Sequence, residues 1–156
     1  LNLETKDLTN LTNDEFADYA PTWSPDGKYL VYLSRISGND KLFRFDLDTK
    51  KTPNTVNNFV VLSRYGYYDG SYIFRTDPGI EIIQGGGASN TDDPGYSIKD
   101  EGTGFKYAEG DLVMARTAAP DSAGGQFFFV TGSKASLLDS QGTYVTFGTR
   151  LQLELP

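Results

Sequence analysis

The sequence predicts a mainly β fold with at least one helix. Three observations carry that prediction. The 156 residues include 17 Gly, 7 Pro, 10 Tyr and 10 Phe, a composition rich in turn formers and β-favouring aromatics. Apolar residues recur in short runs and alternations between glycines, the period of strands. One segment alone spaces its apolar residues as a helix does. The length suits one ordinary domain with a core of its own.

The first fifty residues are polar and strand-like, with Leu1, Leu3, Leu8 and Leu11 set among Asn, Glu and Thr. Pro25-Asp26-Gly27 is a turn: Pro presets φ, Asp bonds locally, and Gly accepts a positive φ. A strand is predicted over 29–33, a second turn at Ser37-Gly38-Asn39-Asp40, and another strand over 42–47. In the latter, Phe43, Phe45 and Leu47 share one face, and Arg44 and Asp46 the other. Residues 28–47 therefore predict a β-hairpin. Thr52-Pro53 opens the helix, Thr as cap and Pro at the first position, where its missing N–H costs nothing. Val56, Phe59, Val60 and Ser63 form its stripe, and Gly66 stops it. Further strands are predicted over 72–75, 80–84, 112–115, 126–131 and 144–148. Irregular stretches over 85–106 and 116–125 separate them, and loops this long in a compact domain usually carry function. Leu151, Leu153 and Leu155 alternate with Gln152 and Glu154, which predicts a final strand.

Composition also excludes whole classes of chemistry. Cysteine and histidine are both absent. That removes disulfides, thiolate nucleophiles, Ser-His-Asp hydrolysis, His bases and nearly all transition-metal sites. No cofactor is expected, and the Gly85-Gly86-Gly87 run has no Lys and no following helix to make a phosphate loop. The net charge of −7 argues against nucleic acid and against an anionic membrane surface. Apolar runs such as 59–62 and 127–130 are only four residues, so neither a membrane span nor a signal-peptide core is expected and the chain reads as soluble. The lack of cysteine fits either redox compartment, so no localisation follows.

Two resemblances meet in the chain. Within residues 8–49, Pro21-Thr22-Trp23-Ser24-Pro25-Asp26-Gly27-Lys28 resembles a blade repeat of TolB-type and tricorn-type β-propellers. A single blade buries no neighbour, so the propellers' platform function is not implied. Residues 51–148 resemble the cyclophilin family of peptidyl-prolyl isomerases. The helix at Thr52-Pro53 through Asn58-Phe59 is followed by Tyr67-Tyr68-Asp69-Gly70, Phe74-Arg75, Pro78-Gly79 and Ile83-Gln84-Gly85-Gly86. Gly95-Tyr96, Asp100-Glu101, Leu112-Val113-Met114-Ala115-Arg116, Gly125-Gln126-Phe127-Phe128-Phe129-Val130-Thr131-Gly132 and Phe147-Gly148 continue the series in order. This resemblance implies a closed antiparallel β-barrel of eight strands with capping helices. The family's opening hairpin is not recognisable, and residues 28–47 occupy its place with no linker before the helix. The expectation is a chimera folding as one domain over 1–156. In it, 1–50 supply the opening hairpin, 51–148 form the cyclophilin-like core, and 149–156 form a terminal strand. The family's closing strand has no counterpart, so residues 151–155, or failing those 1–8, would close the barrel. A closed barrel would be monomeric; an open edge would dimerise.

The implied activity is rotation about X–Pro bonds in peptides or unfolded protein, without a covalent intermediate. Arg75 matches the family's catalytic arginine and Gln84 a glutamine that holds the substrate backbone and steadies it. Phe128, Ile82, Ile80 and Leu138 would form the proline pocket, although the stretch over 80–83 is one residue longer than the family's pattern. Ile83 reads as core, and Phe127 and Phe129 as facing away from Phe128. Gln126, together with backbone groups of Ala115 and Arg116, would meet an extended peptide. Tyr144 falls at the pocket edge, and Leu137 where many members carry Trp, which implies weak cyclosporin binding. Asp92, Asp93, Asp121 and Asp139 read as turn residues. Each assignment has a plainer counterpart: a surface ion pair for Arg75, a turn residue for Gln84, barrel core for Phe128 and strand packing for Tyr144. Two alternatives to an active isomerase therefore stand, an inactive chimeric or designed scaffold and a proline-peptide binding module.

Overall fold

A computed structural model of the chain describes residues 18–23, 29–36 and 39–153. In chain order its elements are β1 (Asp18–Trp23), β2 (Tyr29–Ile36), β3 (Asn39–Leu47), α1 (Pro53–Arg64), β4 (Arg75–Asp77), β5 (Ile82–Gly85), β6 (Asp111–Met114) and β7 (Phe127–Val130), then a 3₁₀ helix (Ser133–Ser140) and β8 (Thr146–Leu153). All eight strands join one antiparallel sheet in the order β1-β2-β3-β8-β6-β7-β5-β4.

The hairpin read at 28–47 is β2 and β3, paired from Tyr29↔Asp46 to Ile36↔Asn39. Residues 1–8, the Pro25-Asp26-Gly27 turn and the Ser37-Gly38 half of the second turn lie outside the described residues; Asn39 and Asp40, expected in that turn, are ladder residues of β3 opposite Ile36 and Arg35. The two strands expected over 144–148 and 151–155, of which 154–155 lie outside the described residues, fall on one continuous strand, β8, which begins only at Thr146. Its Thr149 and Arg150, a polar pair that reads as a break, are ladder residues opposite Asp46 and Phe45. β8 also pairs with β6, so it joins the hairpin to the rest of the sheet.

The expected closed barrel is corrected to an open sheet. Among the described residues, β1 pairs only with β2, and β4 only with β5. Two local causes stand out. β4 has three residues, the very short kind of strand that sits at a sheet edge. β1 contains Pro21, which has no N–H to donate, and its register slips between Tyr19 and Thr22. Such a strand belongs on an edge.

Helix α1 begins with Pro53 as expected, but Thr52 makes no side-chain cap. Its hydroxyl donates instead to the Asp48 carbonyl at 3.2 Å. The cap comes from Glu101, whose carboxylate accepts the N–H groups of Asn54 at 3.0 Å and Thr55 at 2.7 Å. The buried face is Thr55, Val56, Asn58, Phe59 and Leu62, so the stripe runs to Leu62 and not to Ser63. Gly66, at φ +73°, ends the helix in the left-handed region.

Two strand boundaries also move. The strand expected over 72–75 starts only at Arg75, and that expected over 80–84 starts at Ile82. Ile80 and Glu81 belong to the β4–β5 turn, with Glu81 at φ +52°. A left-handed non-glycine residue costs on the order of 1–2 kcal/mol, so its surroundings must hold it there.

Alternation sorts the core onto two faces. Phe45, Leu47, Leu112, Met114, Phe127 and Phe147 pack with Val56 and Phe59 of α1. Ile82, Val113, Phe128 and Val130 pack with Tyr107 and with Ala135 of the 3₁₀ helix. Phe127 and Phe129 thus face away from Phe128, and Ile83 is core at 1% exposed, both as expected. Because β3 inserts Phe45 and Leu47 into the first cluster, its amides in the β3–β8 ladder are expected to resist hydrogen exchange as strongly as those of β7. Exchange mapped by NMR checks this, and fast exchange across 42–47 beside a protected β7 would show the hairpin opening by itself.

Candidate active site

Strand register assembles the site. Arg75 lies opposite Gln84, Gln84 opposite Phe128, and Phe128 opposite Val113. Directly opposed residues share a sheet face, as do residues two apart on one strand. Arg75, Gln84 and Phe128 therefore line up across three strands, with Ile82 and Gln126 beside them. The alternation that puts Phe127 in the helix-side core delivers this row to the other face.

A directional chain of hydrogen bonds runs along it. Arg75 Nη1 donates to Gln84 Oε1 at 3.0 Å. Gln84 Nε2 donates to Gln126 Oε1 at 3.0 Å. Gln126 Nε2 donates to the carbonyls of Asn90 and Asp92, each at 3.0 Å. On its other side Arg75 Nη2 donates to Asp77 Oδ2 at 2.7 Å. That guanidinium bond holds the Asp77 carboxyl below its ordinary range, so Asp77 is charged at neutral pH. The guanidinium is thus oriented from both sides while its side chain stays 48% exposed. Two of its five N–H groups make these bonds.

Beside the polar row is an apolar patch. Phe128, Ile82 and Ala135 are buried, with Ile80, Leu138, Tyr144 and Ala115 half-buried against them. The Tyr144 ring stands edge-on to Phe128 with centroids 5.8 Å apart. Tyr107 fixes that ring's backbone. Its hydroxyl donates to the Tyr144 carbonyl and accepts the Tyr144 N–H, both at 3.0 Å. Burial pushes the Tyr107 hydroxyl up to about 12, so it keeps its proton. Leu137 projects from the 3₁₀ helix at 65% exposed.

One sequence assignment changes in detail, and Arg116 gains a side-chain role beside its backbone one. The Ala115 N–H is taken by the Gln126 carbonyl at 2.9 Å, which leaves Ala115 only its carbonyl for an extended peptide. The Arg116 guanidinium pairs with Asp100, and its side chain is 10% exposed. Asp100 and Asp121 exchange further bonds: the Asp121 N–H donates to Asp100 Oδ2, and the Asp100 N–H to Asp121 Oδ1. Arg116 therefore ties the two long loops together. Asp139 accepts the Tyr107 N–H at 3.0 Å, and Asp93 the Gly95 N–H at 2.6 Å. The sequence reading missed Asp77 and Tyr107. Asp77 had a signal, an Arg-x-Asp spacing that sets both side chains on one strand face; Tyr107, in a stretch without periodicity, had none.

No helix among the described residues is long and apolar enough to cross a membrane. The sequence pattern described as "Cyclophilin type peptidyl-prolyl cis-trans isomerase/CLD" matches residues 33–152, from within β2 to within β8. The chain is 34% identical over 139 residues to "Peptidyl-prolyl cis-trans isomerase A" of Dickeya dadantii, across 83% of this chain and 70% of that protein. It is 40% identical over 118 residues to "Peptidyl-prolyl cis-trans isomerase" of Synechococcus elongatus, across 74% of this chain and 76% of that one. A Cryptosporidium parvum cyclophilin type peptidyl-prolyl cis-trans isomerase, crystallised in the presence of the dipeptide Ala-Pro, superposes with a TM-score of 0.59 at 32% identity. That superposition covers 70% of this chain and 72% of the other.

Proposed function

Because the chain belongs to the cyclophilin-type peptidyl-prolyl cis-trans isomerase family, and is an enzyme of that class, we propose that Arg75 rotates X–Pro bonds by donating to the prolyl nitrogen. The X–Pro amide resists rotation with a barrier of about 18–20 kcal/mol. Twisting it removes resonance and leaves a lone pair on nitrogen. A guanidinium N–H bonds that lone pair in the twisted state and finds no such acceptor in the planar one, which is differential stabilisation. A rate gain of ~10⁵ would require roughly 7 kcal/mol.

One observation carries this reading: a half-exposed guanidinium, held by Gln84 and Asp77, on the sheet face that carries the Phe128 patch. In this reading the proline ring packs on Phe128, Ile82 and Leu138. Gln84 has spent one amide N–H on Gln126, and its second serves a peptide carbonyl. Gln126 and the Ala115 carbonyl take the flanking backbone. Substrates are proline-containing peptides and unfolded segments. In the same reading the blade-like stretch supplies β1–β3, joined to the family core through the β3–β8 ladder.

The test is the cis-to-trans relaxation of an Xaa-Pro peptide with and without the protein, alongside titration of the same peptide. Acceleration supports the proposal. Binding without acceleration makes the chain a peptide-binding module, and neither makes it an inactive scaffold. Cyclosporin is expected to bind weakly, and Leu137→Trp to tighten it by adding an aromatic face at an exposed position. Calorimetric titration of both forms decides that, and equal affinities would remove Leu137 from the binding surface.

A further inference from the structure

Resting on the isomerase reading above, we propose that Glu81 and Lys134 are positioning residues that clasp the two walls of the proline site and set the ring size it accepts. The β4–β5 turn carries Ile80 and leads into Ile82; the 3₁₀ helix carries Ala135 and Leu138. These four side chains meet around Phe128 from opposite directions, and no strand ladder runs directly between the turn and the helix. Glu81 joins them. Its carboxylate Oε2 accepts the Lys134 N–H at 2.9 Å, and Oε1 pairs with Lys134 Nζ at 3.1 Å. Its carbonyl accepts the Thr131 N–H at 2.8 Å.

The backbone is arranged for this contact. Glu81 takes φ +52°, one of two described non-glycine residues with a positive φ. The 3₁₀ helix has no side-chain cap of its own, so an acceptor from another element meets its N–H. Gly132 passes directly beneath the carboxylate, where a Cβ would collide with it. Lys134 Nζ also reaches toward the Pro78 carbonyl at 3.5 Å, on the far side of the same turn. The adjacent N–H and ammonium hold the Glu81 carboxyl below its ordinary range, so the clasp is charged at neutral pH.

Glu81→Gly tests this at small cost to folding, because glycine takes the left-handed φ without strain, which offsets its larger unfolded-state entropy, while the side chain that carries the carboxylate is lost. Two peptides are compared, one with proline and one with its six-membered-ring homologue, pipecolic acid. One ring methylene is worth roughly 10–200-fold in a tight apolar pocket and much less in a slack one. Wild type should prefer proline. In Glu81→Gly, KM for the proline peptide should rise about tenfold with kcat within about threefold, and the preference should narrow about fivefold. Glu81→Gln, which keeps an acceptor oxygen, should restore most of the preference. Affinities measured by titration give the same ratio without turnover, so a wild type that fails to accelerate either peptide overturns the isomerase reading while the ratio still decides the clasp. The Lys134 amide should exchange at least tenfold faster in Glu81→Gly with β7 protection unchanged. Equal losses for both peptides, or an unaltered ratio, would overturn the clasp.

Discussion

Replacing Arg75 by alanine is expected to lower kcat/KM on an Xaa-Pro peptide at least tenfold and to leave the fold intact. Losing one charge-assisted donor to a developing lone pair costs about 1.4–4 kcal/mol in the transition state, or about 10–10³ in rate. The cost to stability is small for a stated reason. Arg75 sits on the three-residue edge strand β4, and its pair with Asp77 is 48% and 32% exposed. Exposed pairs contribute about 0–1 kcal/mol. Lysine should not rescue, because its three donors leave one nitrogen and lack the planar fork that reaches Gln84 and Asp77 at once with an N–H left over for the prolyl nitrogen. Relaxation kinetics with a parallel thermal melt separate the two effects. Turnover within twofold of wild type would remove Arg75 from the mechanism.

The largest loss of stability is expected at Phe147→Ala, about 3–5 kcal/mol. Phe147 is 0% exposed, and its ring centroid lies 5.1 Å from that of Phe59 on α1. The next residue, Gly148, sits so close to β3 that a Cβ there would meet Leu47 Cδ2 at 3.1 Å and the Asp46 carbonyl at 3.2 Å. The backbone around the ring is therefore hemmed in, and a cavity there would collapse only partly. For a domain with a total of about 5–15 kcal/mol, such a loss leaves little margin. Urea unfolding gives the number directly, and a cost below about 1 kcal/mol would show that the ring does not bridge helix and sheet.

What the residues disclosed divides by range. The hairpin, the helix and the Phe127–Phe128–Phe129 alternation were legible because their signals are local: turn chemistry, a proline at the first helical position, and side-chain period. The helix cap was not. It comes from Glu101, 46 residues from the Thr55 amide it accepts, and nothing near Thr52 announces it. The 3₁₀ helix mixes Ser, Lys, Ala and Leu without a stripe, and an acceptor from another turn meets its Lys134 N–H. β8 looked like two strands because it pairs on both edges and keeps Thr149 and Arg150 within the ladder. Arg75, Gln84, Gln126 and Phe128 were legible only from many short motifs in order; no one of them identifies itself. Their alignment into one row is a matter of register, which the sequence does not print.

The β3–β8 ladder has a further consequence, for the chain while it is being made. Leu47 pairs with Gly148, 101 positions later, and Leu42 with Leu153. A hairpin such as β2–β3 closes in about 1–10 μs once its residues are free. At roughly 5–20 residues per second of synthesis, the partner strand follows about 5–20 s afterwards. Throughout that interval one edge of β3 has no neighbour in its own chain, and a small meander of this kind is marginal in water. Beside that edge β3 carries the charged pair Arg44 and Asp46. Charges spaced in this way discourage a second nascent chain from pairing there before β8 arrives.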